Sequence, residues 1–211
     1  MILDIKCKKC RKINEKLFLK GERCYSPKCP LIKIKASLLK RGGKTQGRRP
    51  KNKSEFGRQL SEKQKVKLYY GITERQLKKY YKEATKKRGS TPENLAKRLE
   101  QRLDSVILAS GFASSHTAAR QLTTHGHFSL NGKRHDVPSS EIKINDIITL
   151  SALSLKKPIF NNLKEKLEKH QTPAWLKVDL SNLTIQLVSE PDLQELSLPF
   201  NFSLIVEFYS R

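Results

Sequence analysis

At Gly126 the spacing of the apolar residues changes period, and that change decides the class of fold open to this chain. Upstream, Leu95, Leu99, Leu103, Val106 and Ile107 recur at the 3.6-residue period of a helix with one apolar stripe. Thr91-Pro92 opens this helix, proline being suited to the first helical position, and Gly111 ends it. Ser114 or Ser115 then caps a short helix, HTAARQLTTHG, closed by Gly126, with Ala118 and Ala119 small enough for close packing. Downstream the pattern alternates. Phe128 and Leu130 share a face, and Asn131-Gly132 is the strongest short hairpin signal. EIKINDIITLS repeats that pattern around Asn145-Asp146, FNNLKEKLEKH can form a helix, and WLKVDLSNLTIQLV reads as another hairpin. The expectation is an α+β fold: a helix-turn-helix unit beside a small antiparallel sheet.

Two helices precede this region. Ser54 can cap EFGRQLSEKQKVKLYY, which stops at Gly71. Thr73 opens ERQLKKYYKEATKKR with Gln76 placed for a capping box, and Gly89 closes it. The polar faces of both are rich in lysine. Residues 1–53 have little regular periodicity and end in KRGGKTQGRRPKNK, an extended basic arm of the kind that orders on a phosphate backbone. At the other end, FNFSLIVEFYSR is an unbroken apolar run that reads as a strand.

Charge is the next constraint. Residues 1–100 hold 31 Lys and Arg against 9 Asp and Glu, while residues 101–211 hold 12 against 11. Repulsion on that scale opposes compaction unless a polyanion neutralises it, and nucleic acid is the natural counter-ion. Membrane association is not expected: no apolar run has spanning length, and no long helix sets a clean apolar face against a basic one. Arg41, Lys44, Arg48, Arg49, Lys51 and Lys53 of the arm are the candidate phosphate contacts, with Arg58, Lys63, Lys65 and Lys67 of the helix after it. Tyr69, Tyr70, Tyr80 and Tyr81 could stack on bases, but at helical spacing beside leucines they read mainly as core.

The four cysteines all fall in the first thirty residues, as Cys7-x2-Cys10 and Cys24-x4-Cys29. The N-terminus has no signal-peptide pattern, so a cytosol-like compartment is expected, where paired cysteines read as metal ligands rather than disulfides. Each pair would meet the metal from a tight turn, Tyr25 to Lys28 making the second one. A segment with so few apolar residues would draw its folding free energy from Zn2+. An iron–sulfur cluster uses the same four thiolates, and four free cysteines are the bland alternative.

No glycine-rich phosphate cradle, nucleophile elbow or H-E-x-x-H is present, so no enzyme is expected. His125 and His127 have no acidic residue or cysteine nearby to complete a metal site, and contacts to phosphate or 2′-OH suit them better. Asp104, between apolar positions, reads as a structural ion pair with Arg120 or another basic residue.

The stretches EKLFLKGERCYSPKC, SEFGRQLSEKQKVKLYYGITERQ, RLDSVILASGFASSHTAARQLTTHGHFSLNGK and LIVEFYS together resemble the bacterial-type small-subunit ribosomal protein S-four family, in order and over nearly the whole chain. The cysteines resemble its metal-bearing branch. The resemblance implies a metal-knuckle arm over residues 1–53 and a helical domain built from 54–94 and 195–211. A domain over 95–194 is inserted into it and contains the family's RNA-binding module (about 98–162) and a β-hairpin. It makes the C-terminal run a short helix packing on the first helical domain, with Asn201–Ser203 as a departure from the family's usual residues. It also implies a cytoplasmic ribosomal constituent, an organellar ribosome being the other option. The partners implied are 16S-type small-subunit rRNA, the neighbouring S-five protein and mRNA near the entry channel. Such proteins bind early at a 5′-domain helix junction and influence decoding accuracy. Ser114, Ser115, Arg120, His125, His127, Asn131 and Lys133 stand at the matching module positions as candidate RNA contacts. After FASS the family usually has arginine; here it is His116, whose phosphate contact would be weak or absent. The alternatives are an RNA-binding regulator or RNA-modification factor using the same module, or a zinc-dependent DNA-binding regulator that puts HTAARQLTT into a major groove.

Overall fold

The computed structural model describes residues 2–40, 54–192 and 198–211. The chain divides into two compact units, Met1–Lys79 with Leu198–Arg211, and Tyr80–Ser197.

The first unit opens with α1 (Ile2–Ile13), a 3-10 turn at Gly21–Cys24 and α2 (Pro30–Lys40). This differs from the irregular segment expected there. ILDIKCKKCRKI has no Gly or Pro to interrupt it, so Cys7 and Cys10 lie one helical turn apart rather than in a tight turn. The second pair follows its expectation: Cys29 N–H donates to the Ser26 carbonyl at 3.0 Å, closing the Tyr25–Lys28 turn. The segment also has a small core of its own, Cys10, Leu17, Leu19, Cys29 and Leu31, with Leu68 packed against it. That leucine comes from α3 (Glu55–Tyr70), so the cysteine segment does not stand alone.

Local chemistry sets the ends of α3 and α4 (Glu74–Lys86). Ser54 Oγ accepts from Gly57 N–H at 3.2 Å, and Gly71 leaves the helix at φ +64°, a conformation natural to glycine. Thr73 N–H donates to Gln76 Oε1 at 2.9 Å, and Gln76 N–H donates to Thr73 Oγ1 at 3.3 Å, a reciprocal cap.

The C-terminal run is a helix, Phe202–Ser210, and not a strand. A short continuous apolar run carries no decisive period; here the cap and the packing decide. Asn201 Oδ1 accepts from Ser203 N–H at 2.8 Å, so residues Asn201–Ser203 form the helix start. Phe202 and Ile205 are buried, and Phe208 meets Phe56 of α3 at 5.6 Å.

In the second unit the continuous helix expected from Thr91 to Gly111 is two helices, α5 (Thr91–Glu100) and α6 (Leu103–Ala109). Between them the backbone pairs elsewhere: Ile142 N–H donates to Gln101 O at 2.8 Å, and Leu103 N–H to Ser140 O at 3.0 Å. The same pairing removes the hairpin expected around Asn145-Asp146. Residues 138–142 lie against the helix break, and only Ile147–Leu150 enters the sheet. The apolar stripe survives the break because Leu95, Leu99, Leu103, Val106 and Ile107 are all buried.

Ser115 is the cap of α7 (His116–Thr124), accepting from Ala118 N–H at 3.3 Å. Then come β1 (Phe128–Leu130), β2 (Lys133–Arg134) and β3 (Ile147–Leu150). Two short helices follow, α8 (Ala152–Leu155) and α9 (Leu163–Glu168), with a 3-10 turn at Pro158–Phe160 between them. The hairpin β4 (Leu176–Asp179) and β5 (Thr184–Leu187) ends the unit, and the C-terminal helix is α10. All five strands form one antiparallel sheet in the order β2-β1-β3-β5-β4. Asn131 and Gly132 turn the first hairpin at φ +49° and +79°, as the pair Asn-Gly favours. The sheet's inner residues Phe128, Ile148, Ile185 and Leu187 close one core with Val106, Ile107, Ala119 and Trp175.

Candidate nucleic-acid interface

The module is held from inside by an ion pair. Arg102, in the break between α5 and α6, is 1% exposed. Its Nε and Nη2 donate to the two Asp104 oxygens at 2.9 and 2.6 Å, and its Nη1 donates to Tyr80 Oη at 2.7 Å. Asp104 is thus paired with Arg102, two residues across a helix start letting guanidinium and carboxylate meet as two forks, and the Arg120 charge also acts on it. Arg98 stacks 4.8 Å from the Tyr80 ring centre and reaches Glu83 at 3.3 Å and Glu141 at 3.5 Å.

His116 belongs to this interior. It is buried in the first turn of α7, where desolvation, and after it the Arg102 charge, lower its pKa to about 3. The imidazole is neutral at physiological pH and its ring is packing, not an RNA-facing cation.

The candidate contacts of the module divide into two kinds. Ser114, Arg120, His125 and Lys133 are exposed. Ser115 is spent on the α7 cap. The Asn131 amide is committed as well: Nδ2 donates to Asp146 Oδ1 at 2.8 Å, and Oδ1 accepts from Ile147 N–H at 2.9 Å. His127 is buried, with Nδ1 2.8 Å from Ser154 Oγ and its ring 5.6 Å from that of Phe160.

Tertiary structure adds two cations to this group. Arg134 lies across Gly126, at the carbonyl end of α7; a Cβ on that glycine would be 2.5 Å from Arg134 Nη2. Burial lowers the His127 pKa, and the nearby Lys157, His125 and Arg134 charges lower it further. His125, His127, Arg134 and Lys157 thus gather at one end of α7, although they span thirty-three residues of sequence. Only Gly126 hinted at this.

In the first unit Arg58 is exposed, whereas Lys63 and Lys65 are buried. Lys63 pairs with Glu74 at 3.0 Å, Lys65 with Glu15 and Glu62 at 2.6 Å each, and Lys67 with Glu74 at 2.8 Å. Burial acts to raise the Glu74 pKa, but hydrogen bonds from Lys67, Tyr209 and Lys63 outweigh it and bring the carboxyl down to about 2. Exposed cations stand instead on α4, where Arg75, Lys78, Lys82 and Lys86 recur at helical spacing. The lysine-rich face was visible in the sequence; which lysines would be taken by carboxylates was not. Of the tyrosines, Tyr70 and Tyr80 are buried. Arg41, Lys44, Arg48, Arg49, Lys51 and Lys53 lie outside the described residues.

Cys7, Cys10, Cys24 and Cys29 line one cavity of about 20 Å³, walled by Phe18, Leu19 and Leu31 and flanked by Lys6, Lys16 and Lys20. All four are free thiols. Burial pushes the Cys10 thiol up, partly offset by a hydrogen bond from Leu17 N–H. Among the described residues no group of three or more His, Cys, Asp or Glu side chains stands as a preformed metal centre. The chemistry of the donors, four cysteines lining one cavity with Lys6, Lys16 and Lys20 at its edge to offset thiolate charge, is that of soft-metal ligands.

Residues 3–100 match the family model of the ribosomal protein S4/S9 N-terminal domain, and residues 101–148 that of the S4 domain. The small ribosomal subunit protein uS4 of Syntrophomonas wolfei is 43% identical over 208 residues, covering 99% of this chain and 98% of its own. The chain belongs to the uS4 family. The uS4 proteins of Natranaerobius thermophilus, 44% identical, and Ruminiclostridium cellulolyticum, 42% identical, agree over 97% and 99% of this chain and 96% and 98% of their own. The break at Arg102 falls at the junction of the two uS4 family matches, where the S4-domain match begins.

Proposed function

We propose that this chain is a structural constituent of the small ribosomal subunit that binds ribosomal RNA directly, in cytoplasmic ribosomes, without enzymatic activity. Near full-length membership of the uS4 family carries this reading. Among the described residues no helix is long and apolar enough to cross a membrane. The basic face of α4 and the exposed Arg120, His125, Lys133, Arg134 and Lys157 supply phosphate contacts. Each contact made would add about −0.7 to −0.9 to the log–log salt slope. The rigid module contributes shape, through 2′-OH and backbone contacts to a folded RNA.

The finer reading is early binding at a 5′-domain helix junction, beside the S-five protein and near the mRNA entry channel. The four cysteines hold Zn2+ as structural ligands; an iron–sulfur cluster is the alternative on the same thiolates. Zinc would tie α1 to the turn before α2 and so fix the basic segment between them.

A salt-titrated binding assay with a 5′-domain rRNA fragment tests the RNA reading, with unrelated structured RNA and duplex DNA as competitors. Binding that survives both competitors is expected; equal binding to all three, vanishing with salt, would reduce the chain to a nonspecific polycation. Elemental analysis should find one zinc per chain, lost in Cys10→Ser; iron with inorganic sulfide would replace zinc by the alternative, and no metal would refute both.

A further inference from the structure

Lys65 is placed where three distant parts of the first unit meet. Its Nζ lies 2.6 Å from Glu15 Oε2, in the loop between the two cysteine pairs, and 2.6 Å from Glu62 Oε1 on its own helix. The other Glu62 oxygen, Oε2, accepts from the backbone N–H of Asn201 at 3.1 Å. Asn201 is the residue whose side chain caps α10. Two residues beyond Glu15, the Leu17 N–H reaches the Cys10 sulfur, and Leu17 is 1% exposed in the core that Cys10 and Cys29 share. A path therefore runs from the cysteine cavity along the backbone from Leu17 to Glu15, and then by short polar contacts through Lys65 and Glu62 to the start of the C-terminal helix.

The exposure of its members makes this path directional. The Lys65 side chain is 8% exposed and Glu62 14%, so both rely on each other and on their partners for solvation, whereas Glu15 is 47% exposed. If the cysteine loop swings away, Lys65 loses one of its two carboxylates and draws more strongly on Glu62, the group that holds the cap of α10. An apolar side chain at position 65 would keep the volume but carry no such signal. Other contacts between α3 and α10, Gln59 to Glu207 at 3.0 Å and Phe56 against Phe208, do not involve the cysteine loop.

We propose that Lys65 is a positioning residue that couples the order of the four-cysteine loop to the docking of the C-terminal helix, so that disturbance at one end of the chain is felt at the other. The coupling runs through Glu15 and Glu62 and needs no metal for its logic, so it stands or falls separately from the zinc reading.

Amide hydrogen exchange of the full chain as purified reads this directly. Glu15→Gln should raise exchange in α10 roughly fivefold, the scale of one partly buried ion pair, while α7 in the second unit stays unchanged. In a Lys65→Met background the same Glu15 substitution should have no further effect on α10, and Lys65→Arg should restore it. Should Lys65→Met fail to fold, Glu62→Gln serves as the background, where the Glu15 effect must again disappear. An α10 that ignores Glu15→Gln, or responds equally with and without the Lys65–Glu62 link, would overturn the proposal. A uniform rise across both units would do the same, since it would mean general destabilisation.

Discussion

Lowering the pH from 7.5 to 5.5 should weaken the second unit through His116. The unfolded chain takes up a proton near the ordinary histidine value of 6.5, while the folded chain holds His116 neutral down to about 3. A folded pKa below the unfolded one means that full stability is present above 6.5 and is lost as pH falls towards 3. The slope approaches about 1.4 kcal/mol per pH unit, and integrating from pH 7.5 to 5.5 leaves a loss of about 1.4 kcal/mol from this one group. Urea unfolding followed by tryptophan fluorescence isolates the effect, because the single tryptophan, Trp175, is 1% exposed within the core of that unit. His127 is also shifted down and adds in the same direction, so the decisive quantity is the difference between the parent chain and His116→Gln. The variant should keep only the smaller, His127-linked loss. If both chains lose the same stability between pH 7.5 and 5.5, His116 is not buried neutral and the account of the module's interior fails.

Removing one member of the buried pair should be far worse than weakening a surface bridge. Arg102→Met should cost about 3–5 kcal/mol by the same fluorescence assay, and the double variant with Asp104→Leu should recover part of it, since the uncompensated buried charge is then gone. Ser115→Ala should cost about 1 kcal/mol through the lost α7 cap. Gly126→Ala should strain a φ of +69° and displace Arg134, weakening rRNA affinity more than the Ser115 change does at equal stability loss, as a filter-binding comparison would reveal. In the first unit Glu74 contributes stability above its ordinary value of 4.5 that is lost as pH falls towards about 2. Glu74→Gln should flatten that acid response of the first unit, read by circular dichroism against the parent chain.

Much of the architecture was legible because it rests on local chemistry. The caps at Ser54 and Thr73, the Asn131-Gly132 turn, the stripe from Leu95 to Ile107 and the β4–β5 hairpin all depend on residues a few positions apart. The readings that failed depend on partners far along the chain. Nothing near Gln101 announces that its carbonyl will take the Ile142 N–H, which splits one helix and cancels a hairpin together.

The same distinction governs the candidate interface. From the sequence alone came the excess of cations in the first half, the four-cysteine set, the family and the module, since composition, spacing and motif order are properties of the chain itself. Only the folded structure decided which cations remain free, because burial beside Glu62 and Glu74 engages Lys65 and Lys63, while Gly126 opens the space that Arg134 fills. It also decided that His116 faces inward: a ring's charge follows its solvation, and solvation depends on what the rest of the chain packs around it.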